Sequence, residues 1–66
     1  MKKAIGILVK TARKAKGITQ VQLGESIDIR QITVRSIEKG VANTGIETLE
    51  ALESELKIKI FDKGLK

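Results

Sequence analysis

Arg13-Lys-Ala-Lys-Gly-Ile-Thr-Gln-Val-Gln-Leu-Gly-Glu-Ser-Ile-Asp-Ile-Arg-Gln-Ile-Thr-Val-Arg-Ser-Ile-Glu-Lys-Gly40 is the segment around which the rest of this chain organises. Gly17 marks the left-handed end of a preceding helix. Ile18 and Thr19 open the next one, with Thr19 placed to accept a bond from the free amides of its first turn. Gln22 stands three residues on, so the pair fits a capping box. Leu23, Gly24 and Ile27 make the inner face of this short helix, and Gly24 lets a neighbour approach closely. Asp28 falls where a tight turn wants a left-handed residue, which aspartate tolerates better than most. Ile29 returns to the core. A third helix is expected from about Arg30 to Lys39, stopping at Gly40, with Val34 and Ile37 inward. Two short helices joined by a tight turn, over about 19–39, form a helix-turn-helix.

The outer face of the third helix then carries Gln31, Ile32, Arg35 and Ser36. Glutamine offers a donor and an acceptor to adenine, arginine a fork to guanine, and isoleucine an apolar contact to a thymine methyl. For Ile32 the readings stand side by side: a thymine contact, or packing against another subunit, or simply a harmless surface apolar residue.

Upstream, Ile5, Leu8, Val9 and Ala12 follow the i, i+3, i+4, i+7 spacing of a helix over Lys3–Lys16. Downstream of the Gly40–Thr44 loop, Ile46, Leu49, Leu52, Glu53 and Leu56 mark a fourth helix. Thr44 is its expected N-cap, and Glu47 and Glu50 suit its positive end. The period then changes. Leu56-Lys-Ile-Lys-Ile-Phe-Asp-Lys alternates apolar and cationic residues as a half-buried strand does, over about 57–62. A lone strand needs a partner, and the same strand of a second subunit would supply it across a twofold axis, burying Ile58 and Ile60. The alternative is that this segment continues the fourth helix or packs as an extended tail.

The chain has 66 residues, with no proline and no cysteine, and reads as one domain over 1–66. So short a chain buries only about 60% of its unfolded surface, which makes oligomerisation a natural source of stability. Without cysteine or histidine there is no thiolate or imidazole site, and no metal or other cofactor is expected. No apolar run approaches the roughly 20 residues of a bilayer span, and Lys10 interrupts the N-terminal run too early for a secretory signal. A soluble cytoplasmic protein is the expectation. The usual nucleophile and base pairings of an enzyme are missing, and Glu47, Glu50, Glu53 and Glu55 read as a solvated helix face.

Net charge is +5, and it is unevenly spread. Residues 1–40 hold nine Lys/Arg against three Asp/Glu, while residues 41–66 hold four against five. Lysines on a small surface are often only solubilising. Here the positive half coincides with the groove-entering motif, which points to phosphate contact.

These residues resemble a known family. The run Ala12–Gly40, with its Arg-Lys-x-x-Gly-Ile-Thr-Gln-x-x-Leu and Ile-x-Glu-x-Gly patterns, followed by Asn43-Thr-Gly-Ile-Glu-Thr-Leu49, is similar to the XRE-type helix-turn-helix domain of Cro and phage repressors. The resemblance covers about Ile5 to Leu56. It implies a mainly α, lambda-repressor-like domain of four to five helices, here with a short C-terminal strand. It also implies site roles. Gln20 corresponds to a glutamine that binds a backbone phosphate and braces the first recognition residue, which is Gln31. Ile32, Thr33, Arg35 and Ser36 correspond to positions facing bases or adjoining phosphates, with Gln31, Ile32, Arg35 and Ser36 taken as base contacts. Gln20, Arg30, Thr33 and Lys39 are taken as phosphate contacts. Arg13 and Glu38 correspond to a buried ion pair between the first and third helices; composition alone leaves Arg13 among the phosphate binders. Gly24, Asp28 and Arg30 depart from the usual alanine, glycine and serine or threonine. Arg30 cannot cap a helix by accepting amide bonds, so a phosphate contact is its expected role.

The alternating C-terminal segment is similar to that of HipB-like antitoxins. That similarity implies a homodimeric repressor of an inverted-repeat operator, with a HipA-like kinase toxin as a second partner. The alternatives are a Cro-like or general XRE regulator without a toxin, and a protein-interaction module that has lost DNA binding.

Overall fold

The structure is a computed structural model that describes residues 2–60. Four helices follow one another: α1 (Lys2–Lys16), α2 (Gln20–Ser26), α3 (Gln31–Lys39) and α4 (Ile46–Leu56). Their apolar faces meet in one core of Val9, Leu23, Val34, Ile37, Leu49, Leu52 and Leu56, with Ile5, Ala12, Ile18, Ile27 and Ile29 packed around it. Each helix supplies at least one of these side chains. Removal of that apolar area from water is the main term holding so small a domain together.

The local signals act as the sequence suggests around α2. Thr19 Oγ1 accepts the Gln22 amide at 3.0 Å, and the Thr19 amide donates back to Gln22 Oε1 at 2.8 Å. Gly17 and Gly40 both take a left-handed φ of 77°, and Asp28 takes one of 62° in the turn. Gly24 is required by a close approach: a Cβ there would lie 2.6 Å from the Ile29 carbonyl oxygen. The Ile29 amide in turn donates to the Gly24 carbonyl at 2.8 Å, so the turn folds directly onto α2.

Two expectations for α4 need correction. Its N-cap is Gly45 rather than Thr44, and no side chain caps it. Ile46, read as part of the apolar face, is 65% exposed at the first helical position. The core contact begins one turn later, at Leu49.

The expected C-terminal strand falls only partly on the described residues. Among the described residues there is no strand. Lys57 adopts a left-handed conformation and ends α4. Immediately after it, the Ile58 amide donates to the Glu53 carbonyl at 3.1 Å, and the Ile60 amide donates to Glu53 Oε2 at 2.7 Å. Glu53 thus holds two amides of the segment that follows α4. The alternation itself is real: Ile58 and Ile60 are half-buried against their own core, while Lys57 and Lys59 are exposed. The rest of the expected strand, residues 61 and 62, lies outside the described residues.

Candidate nucleic-acid interface

α3 presents its polar side outward because its two apolar anchors, Val34 and Ile37, are buried. Gln31, Arg35 and Lys39 recur every four residues and form one exposed ridge, with Ile32 and Ser36 beside it. Ile32 is 60% exposed. Ser36 and Thr33 are half-buried, and Thr33 lies at the margin of the ridge, next to the buried arc. The four residues expected to face bases thus share one continuous surface.

Electrostatically this surface is open. Among the described residues, the side chains of Gln31, Arg35, Arg30 and Lys39 are not committed to any hydrogen bond or ion pair. Arg30 stands at the N-cap of α3 with extended backbone (φ −78°, ψ 153°) and no side-chain cap bond. Its carbonyl accepts the Thr33 and Val34 amides at 3.0 and 3.1 Å, so the helix starts on backbone bonds alone. The exposed guanidinium therefore sits at the positive end of α3, an arrangement that an anion would relieve.

Beneath the ridge, a polar cluster locks three helices together. Arg13 Nε donates to Glu38 Oε2 at 2.6 Å and Arg13 Nη2 donates to Glu38 Oε1 at 3.2 Å. The side chains are 11% and 3% exposed, so the pairing is buried. Arg13 Nη1 donates to the Ile18 carbonyl at 2.8 Å, fixing the start of α2 to α1. Gln20 Nε2 donates to Glu38 Oε1 at 3.1 Å. Arg13 thus belongs to the scaffold under the surface. Gln20, half-buried beside it, is held by Glu38.

Gly6 is a residue that sequence reasoning passed over. It is buried in α1, where an added Cβ would meet the backbone oxygens of Ile37 and Glu38 at 2.5 and 2.6 Å. The available signal was a glycine inside an apolar helical pattern, where it costs about 1 kcal/mol relative to alanine and so implies a packing reason. Ile58 and Ile60, expected at a subunit interface, follow α4 and pack against the core of their own chain.

A helix-turn-helix family model matches residues 9–62. An immunity repressor protein of Bacillus phage phi105 is 34% identical over 56 residues, an alignment that covers 85% of this chain. The chain spans 39% of that relative's length. No helix among the described residues is long and apolar enough to cross a membrane.

Proposed function

Because the chain belongs to the helix-turn-helix family, of the XRE or phage-repressor type, we propose that it is a sequence-specific DNA-binding transcriptional repressor and not an enzyme. The observation that carries this reading is the uncommitted ridge of Gln31, Arg35 and Lys39 on a helix whose opposite face is locked into the core. α3 lies in the major groove, with Gln31, Ile32, Arg35 and Ser36 toward base edges. Gln20, Arg30, Thr33 and Lys39 contact phosphates, and the two cations among them, Arg30 and Lys39, supply affinity that falls with salt.

The working unit is a homodimer on an inverted repeat, with half-sites about one helical turn apart. Its contact lies on the C-terminal segment, where Ile58 and Ile60 are only half-buried and their alternation with Lys57 and Lys59 supports pairing with the same segment of a second subunit. The protein works in the cytoplasm, where its DNA is. An antitoxin role with a HipA-like kinase is the finer alternative. It depends on a paired C-terminal strand, and the likeness to a phage immunity repressor favours a repressor without a toxin partner.

Titration of a labelled random duplex at several salt concentrations tests the reading. Binding that weakens linearly in log salt is expected. Affinity no greater than for a neutral control polymer would instead support a protein-interaction module.

A further inference from the structure

Glu38 does more than neutralise Arg13. Its carboxylate takes three donors: Arg13 Nε on Oε2, and Arg13 Nη2 with Gln20 Nε2 on Oε1. A carboxylate in a salt bridge can only accept, so Gln20 can face it only with its nitrogen. A glutamine amide has two nearly isosteric orientations, and its neighbours normally decide between them. Here one orientation puts an N–H against Glu38 and the other would put an oxygen against an oxygen. The Ile18 carbonyl bonded to Arg13 Nη1 fixes the backbone two residues before Gln20, so the same cluster sets both the position and the orientation of this side chain.

We infer that Glu38 is a positioning residue for DNA binding, holding the Gln20 amide so that its second N–H serves a backbone phosphate and its oxygen is left as an acceptor. The inference rests on the DNA-binding function proposed above and goes beyond it, since Glu38 itself is buried and touches no DNA. The ion pair that binds α1 to α3 is thereby coupled to the nucleic-acid contact made from α2.

The coupling is tested with the wild type, Gln20→Ala, Glu38→Gln and the double variant, on a labelled duplex of the tightest sequence selected by the wild-type protein. An amide at position 38 lets Gln20 take either orientation. Glu38→Gln should therefore weaken binding about tenfold alone and less than about twofold when Gln20 is already alanine. Gln20→Ala removes an uncharged phosphate contact, so it should weaken binding at every salt concentration while leaving the salt slope nearly unchanged. Equal losses from Glu38→Gln in both backgrounds would show a purely structural role and overturn the inference. Should Glu38→Gln fail to fold, the wild type still decides. Its Gln20 side-chain amide protons should exchange more slowly than those of Gln22 and Gln31, and equal exchange would overturn the inference. A wild type that binds no duplex would defeat the proposed function itself, whereas bound duplex with unprotected Gln20 protons would defeat only the positioning role.

Discussion

Gly6 on α1 and Ile37 on α3 cross backbone to backbone: a Cβ on Gly6 would stand 2.5 Å from the Ile37 carbonyl oxygen. The crossing brings Arg13, further along α1, level with the start of α2 and within reach of Glu38. Gly6→Ala gains about 1 kcal/mol of helix propensity but forces two backbones apart, and overpacking of that kind costs about 1–3 kcal/mol or more. Net destabilisation is expected, read as a lower urea midpoint, and a midpoint at or above that of the wild type would show that the helices separate easily.

Arg13→Met leaves Glu38 buried without its cation, which for a buried pair costs about 3–5 kcal/mol. Whole domains are stable by only about 5–15 kcal/mol, so most of the margin disappears. Adding Glu38→Leu to Arg13→Met should recover much of the loss, but not the bond to the Ile18 carbonyl. Thermal melts of the two variants check the order, and a double variant less stable than the single one would contradict it.

The start of α4 is improvable. Gly45 is its N-cap without a side-chain bond, and nothing lies within 4 Å of a Cβ built there. Gly45→Asp introduces an acceptor and a negative charge at the positive helix end, and it restrains the unfolded chain. A gain of about 0.5–1 kcal/mol is expected in denaturant titration. At α2 the effect runs the other way: Thr19→Ala removes a working capping box and should cost about 1 kcal/mol.

These contacts show what the sequence made legible and what it did not. Thr19, Gly17 and Asp28 act through neighbours a few residues away, and short-range chemistry is what a linear reading captures. Val34 and Ile37 were equally clear, because helical spacing alone sorts them inward. Thr44 misled because capping preference cannot tell it from Gly45 one position later. The segment after Leu56 was legible only in part. Alternation reports which side chains are buried, but not whether the burying surface is a second subunit or the chain's own α4. Nor does it announce Glu53, whose backbone and side chain hold the Ile58 and Ile60 amides. Gln20 bonding to Glu38 was likewise beyond reach, since it requires three helices to be placed first.

If the dimer contact lies on the C-terminal face, Ile60→Glu should shift sedimentation equilibrium toward monomer at micromolar concentration while circular dichroism stays helical. An unchanged mass would move the interface elsewhere on the surface.

Arg35→Ala and Gln31→Ala should relax discrimination at individual base pairs, each good base contact being worth about 1–3 kcal/mol. Lys39→Ala should weaken all duplexes alike and lower the salt slope by about 0.9. A uniform loss from Arg35→Ala would remove it from the base readers.

Selection from random duplexes by the purified wild-type protein, followed by sequencing at moderate salt, bears most directly on the claim that the outer face of α3 reads DNA. The account predicts an enriched inverted repeat whose half-sites lie about one helical turn apart. Recovery of no motif, with duplex retained indifferently or not at all, would contradict it.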